Sequence, residues 1–104
     1  LKNALIIFVM LLSVQPVIAA ENYQSGKIKN ITATTDGLMV MMDTRLPSNC
    51  EGTPYGWMLI EQKNTTIISV VLAAWASQAK SGTIYTSGRP DGGYCLVIQF
   101  DPAN

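Results

Sequence analysis

The stretch "TTIISVVLAAWASQAKSG", Thr65 to Gly82, decides the fold. From Ile67 to Ala76 its one polar residue of any weight is Ser69. A membrane span, a buried strand and a core helix can all absorb such a run. It is too short to span a bilayer, which takes about 20 apolar residues. The β-branched "TTIISVV" suits a strand, but the run continues through the Ala-rich, helix-favouring "LAAWASQAK". Ile68, Val71, Leu72, Trp75 and Ala79 recur at helical spacing. Asn64, Thr65 or Thr66 can cap the start, Lys80 complements the dipole at the end, and Gly82 suits the position past the last turn. The spacing predicts a core helix from Thr66 to Ser81, with Trp75 in the core.

Upstream, "SGKIKNITATT" (Ser25 to Thr35) is rich in Ile and Thr and reads as a strand. Ile28 and Ile31 break its alternation, and a bulge between them would return both to one face. Asp36-Gly37 is a hairpin signal, and "LMVMMD" (Leu38 to Asp43) is the return strand, apolar on both faces. "TRLPSNCEGTPYG" (Thr44 to Gly56) is a loop, and "WMLIEQ" (Trp57 to Gln62) a third strand. Downstream of the helix, "TIYT" and "YCLVIQFD" (Tyr94 to Asp101) are the fourth and fifth strands, separated by the turn cluster "SGRPDGG".

The order β-β-β-α-β-β gives an α+β, mostly β class: an OB-fold-like five-stranded barrel with one long core helix. An open α+β sheet with the helix on one face is the alternative. In the barrel the third and fifth strands run parallel and start at the same end. Cys50 lies just before the third strand and Cys95 near the start of the fifth, so the topology predicts a Cys50–Cys95 disulfide there. Two cysteines without a single histidine are too few soft ligands for zinc, and no metal or other cofactor is expected.

The chain opens with "LKNALIIFVMLLSVQPVIAAENYQ", which has the layout of a secretory signal peptide: a basic Lys2, an apolar core from Ala4 to Val14, and small residues before Glu21. Residues 1–20 are therefore expected to be removed after Ala19 or Ala20, leaving no stable membrane span, and 21–104 to form a single disulfide-stapled domain, periplasmic or secreted. Lys2 is the one charge in that leader, so residues 21–104 carry six basic and seven acidic side chains, a net charge of −1. With no basic stripe, nucleic acid is not an expected partner.

No His is present to act as a base, both cysteines are spoken for, and the carboxylates fall in turns and at strand ends. Asp91 in "GRPDGG" reads as a turn residue. No catalytic residue is assigned, and the protein is expected not to be an enzyme. The candidate ligand-binding residues are aromatic. "TPYGW" sets Tyr55 and Trp57, and "GGYC" sets Tyr94, beside the disulfide, where rings could stack on sugars or pack round the bridge.

A small exported chain with "GKIKNI", a Cys before a Trp-led strand, an Ala-rich helix and a late Cys resembles small secreted bacterial proteins of unknown function. In layout it also resembles the OB-fold B subunits of pentameric bacterial toxins, of the subtilase-cytotoxin type. The second resemblance implies a binding module for cell-surface glycans and assembly into a homo-oligomer, and it carries over no site residue. "SGTIY" (Ser81 to Tyr85) resembles the Ser-Gly-x-x-Tyr signature of periplasmic lysozyme inhibitors. That resemblance implies an alternative function: a periplasmic or envelope structural or inhibitor protein with an envelope protein as partner.

Overall fold

The computed structural model describes residues 21–103. The expected signal peptide lies outside the described residues. The chain runs β1 (Tyr23–Thr34), β2 (Gly37–Met42), β3 (Met58–Glu61), α1 (Thr65–Ala76), β4 (Ser81–Gly88) and β5 (Cys95–Pro102). It is a mostly β structure with one helix.

Each strand pairs with two others, and the ladders close into a ring in the order β1-β2-β3-β5-β4. All are antiparallel except β3 with β5, which are parallel through Met58↔Cys95 and Leu59↔Leu96. Inside the ring lie Ile28, Leu38, Val40, Met42, Met58, Ile60, Ile84, Val97 and Phe100, and Val71 and Ala74 of α1 join the same cluster. Helix α1 lies against β5.

The bulge expected between Ile28 and Ile31 is present. Ile28 faces Met42 and Asn30 faces Met41, so Lys29 is the extra residue. Ile28 is buried and Ile31 packs on the core, as the return of both to one face requires. On β2 both faces are covered: Leu38, Val40 and Met42 point into the cluster, while Met39, opposite Leu59, is buried on the other side. The hairpin turn sits one residue earlier than its Asp-Gly signal. Thr34 pairs with Gly37, leaving Thr35 and Asp36 as the loop. Gly37 is needed as a strand residue: its φ is +145°, and a Cβ there would come within 2.0 Å of the Ile60 carbonyl oxygen of β3.

The helix is shorter than its sequence pattern, ending at Ala76 rather than Ser81. The Ser77 amide and hydroxyl both donate to the Ala74 carbonyl, at 3.1 and 2.7 Å, so this side chain competes for the last helical acceptor. Lys80 takes the left-handed conformation (φ 53°) that reverses the chain into β4. Its ammonium reaches back to the Trp75 and Ser77 carbonyls and lies 4.6 Å from the centre of the Trp75 ring. Gly82 is therefore not the helix terminator. It is a β4 residue opposite Gly26, where a Cβ would meet the Phe100 ring at 2.4 Å.

The buried line of α1 keeps Ile68, Val71 and Trp75 of the expected stripe but not Leu72 or Ala79. Val71 and Ala74 are buried, with Ile67, Ile68, Val70 and Trp75 packed beside them. Leu72 is 43% exposed and Ala79 lies beyond the helix, exposed. Trp75 is partly rather than fully buried, one face taken by Lys80.

Candidate functional site at the disulfide end

Cys50 and Cys95 are bridged, with Cα atoms 5.1 Å apart and both residues fully buried. The parallel pairing of β3 with β5 produces this meeting. Because Met58 lies opposite Cys95, the segments leading into the two strands emerge side by side at one end of the ring.

Those segments repeat a device. Pro54-Tyr55-Gly56 leads into β3 and Pro90-Asp91-Gly92 leads toward β5, and each forms a single 3-10 turn. The middle residue is left-handed in both, Tyr55 at φ 56° and ψ 15°, Asp91 at φ 53° and ψ 29°. The following glycines continue at φ 78° and 71°. Proline fixes the approach to each turn and glycine its exit, so the middle side chain is held outward on a stiff tip.

Three polar side chains lock the end together. The buried Thr53 hydroxyl donates to the Trp57 carbonyl at 2.7 Å and accepts the Cys95 amide at 3.0 Å, joining the approaches to β3 and β5. Asn49 donates to the Thr86 carbonyl at 3.0 Å and accepts the Thr86 hydroxyl at 2.6 Å, joining the cysteine loop to β4. The Arg89 guanidinium donates to the carbonyls of Glu51, Gly92 and Gly93, stitching the second turn to the cysteine loop. Pattern reading missed all three, since in sequence they are ordinary loop polar residues. Only Thr53, three residues after Cys50 and directly before Pro54, stands where a turn-closing hydroxyl is commonly used.

The three candidate aromatics divide by exposure. Tyr55 is 86% exposed, while Trp57 and Tyr94 are half-buried, flanking the Met58↔Cys95 register pair. All three belong to this end, and Tyr55 presents its ring to solvent. Neither of two surface grooves of about 460 Å³ includes any of them. One groove, between Glu21, Gln24, Arg45, Leu46, Ser48 and Glu51, borders the cysteine loop. The other follows β1 and β4 through Ser25, Lys27, Ser81 and Thr83.

Other candidates are dispersed. Glu51 precedes β3 and Glu61 closes it, at opposite ends of the strand. Ser81, Gly82 and Tyr85 of the Ser-Gly-x-x-Tyr pattern run along β4, with Tyr85 beside Tyr23 at a ring-centre distance of 6.2 Å. Among the described residues, no three His, Cys, Asp or Glu side chains gather as a metal site, and no helix is long and apolar enough to cross a membrane. No family model, no curated protein and no solved structure matches this chain.

Proposed function

We propose that this is an exported, non-catalytic binding module that engages a glycan through its disulfide end. The observation that carries the reading is the exposed Tyr55 ring on a locked turn, with Trp57 and Tyr94 on the same rim. An aromatic ring offers an apolar face to sugar C–H groups and a polar edge to hydroxyls, and a stiff mount keeps the ordering cost of binding low. The strand order of the ring and the helix between β3 and β4 support reading the fold as a binding scaffold of OB type. On this reading residues 1–20 are a cleaved leader, 21–104 a single domain, and the buried disulfide reflects folding in an oxidising compartment, periplasmic or extracellular.

Self-association is part of the proposal. Helix α1 has no charged side chain among its 12 residues and leaves Leu72 43% exposed, a surface that a second subunit would cover at little desolvation cost. The test is retention on a panel of immobilised glycans by the wild type and by Tyr55→Ala, with light scattering on the same samples. Retention of the wild type on at least one glycan, lost in the variant, supports the module. Binding to no glycan overturns it in favour of an envelope structural or inhibitor protein. A monomer by light scattering removes the oligomer.

A further inference from the structure

Strand β4 pairs with β1 on one side and β5 on the other, and strand alternation sends one set of side chains outward from all three. In direct register across β1 and β4 these are Tyr23 with Tyr85, Ser25 with Thr83, and Lys27 with Ser81. Strand β5 extends the first two rows with the exposed Gln99 and Asp101. The two tyrosine rings lie 6.2 Å apart and tilted by 40°, and Tyr23 is about half exposed. In the next row Ser25 Oγ and Thr83 Oγ1 are bonded at 2.7 Å. One proton joins that pair, so a second hydroxyl proton and several lone pairs remain for a group outside the chain.

A groove of about 460 Å³ opens along the same rows, lined by Ser25 and Thr83 among others. Tethered segments border it on both sides. The Thr44 hydroxyl donates to the Ser25 carbonyl and the Lys27 amide donates to Asp43, each at 2.8 Å, while the Ala103 amide donates to the Ser81 carbonyl at 3.1 Å. The charges around it cancel: Lys27, and Lys80 beside Ser81, stand against Asp43 and Asp101. Neither sign of ligand is favoured by that balance. Hydroxyl rows beside the aromatic row also differ from the contiguous apolar patch of a subunit or membrane contact.

We infer that the outer face of β1 and β4 is a binding site for a neutral oligosaccharide. The Tyr23–Tyr85 pair takes the C–H face of one sugar ring, and the Ser25–Thr83 hydroxyls and Lys27 bond the hydroxyl groups of the rings that follow. From Tyr23 to Lys27 the face runs about 13 Å, which suits a short chain of sugars better than a single one. This site includes none of Tyr55, Trp57 and Tyr94 and stands independently of the disulfide-end reading.

The test is an amide-resolved NMR titration of the full chain recovered from an export pathway. The probes are tetramers of β-linked glucose, of α-linked glucose and of β-linked N-acetylglucosamine. Expected are saturable shifts at the Ser25, Lys27, Thr83 and Tyr85 amides with at least one tetramer, and an affinity that changes less than about twofold between about 0.05 and 0.5 M salt. Tyr23→Ala, at the exposed member of the pair, should weaken binding at least about fivefold while the rest of the spectrum is retained. Ser25→Lys should weaken it too, by filling the groove with both rings left in place. Tyr55→Ala should leave it unchanged. Shifts on this face that survive Tyr55→Ala support the site and count against the disulfide-end reading. Shifts confined to Tyr55, Trp57 and Tyr94 overturn the site and leave that reading standing. Binding abolished by salt, binding indifferent to both Tyr23→Ala and Ser25→Lys, or no shift with any tetramer also overturns it.

Discussion

The Thr53 hydroxyl donates to one strand approach and accepts from the other, in a buried position where water cannot replace either bond. Thr53→Val keeps the shape and leaves the Trp57 carbonyl and the Cys95 amide unpaired, so it should cost about 1–3 kcal/mol. Thr53→Ser keeps the hydroxyl and should cost under about 1 kcal/mol. Urea denaturation of both variants checks this. Equal losses would mean that the methyl group, not the hydrogen bonds, matters. Tyr55 predicts the reverse sign. Tyr55→Gly relieves a left-handed residue at a cost of roughly 1–2 kcal/mol, against a loss of about 0.5–1 kcal/mol from the freer unfolded chain. Stability should stay level or rise by up to about 1.5 kcal/mol, and a thermal midpoint several degrees lower would show that the ring packs after all. "TPYGW" marks a turn in the sequence, but whether Pro, Tyr or Gly takes the left-handed position depends on how the turn joins β3. The tyrosine was legible as a candidate, and its strain was not.

At the scale of elements, legibility followed contrast. The first strand showed its bulge because Ile28 and Ile31 stand out among Lys, Asn and Thr. Helix α1 has no such contrast: nearly every position from Ile67 to Ala76 is apolar, so the sequence establishes a helix without fixing which side faces in. That is why the expected stripe, right at Ile68, Val71 and Trp75, took in Leu72 where the packed line takes in Ala74. The end of the helix was hidden for another reason. Ser77 and Lys80 stop it through side-chain bonds to its last carbonyls, which no periodicity records. Adjacent substitutions test which side of the helix faces in, with Leu72 as the deciding position. Val71→Asp buries an unpaired charge and should prevent folding. Leu72→Asp, at a half-open position, should cost under about 1 kcal/mol. Circular dichroism and urea curves for the pair decide it, and a Leu72→Asp protein that fails to fold would return Leu72 to the core.

For the whole molecule, topology and chemistry meet at the bridge. Cys50 and Cys95 are 45 residues apart, and a β-β-β-α-β-β order is enough to bring them to one end, because a closed ring makes β3 and β5 parallel neighbours. The polar locks round the bridge were not legible, since Asn49, Thr53 and Arg89 find their partners only after the strands are in place. These locks and the disulfide hold the same segments, which bears on what the bridge contributes. The chain-entropy argument gives about 4 kcal/mol for a loop of this length, as an upper figure. Paired Cys50→Ala and Cys95→Ala substitutions should therefore leave a folded protein that is about 2–4 kcal/mol less stable by urea denaturation. With both cysteines fully buried, the wild-type bridge should also resist reductant under native conditions and yield only at urea concentrations that open the ring. Thiol titration across a urea series reads this directly. Two thiols appearing rapidly without urea would mean that the disulfide end opens locally, and that the polar locks do not hold it rigid on their own.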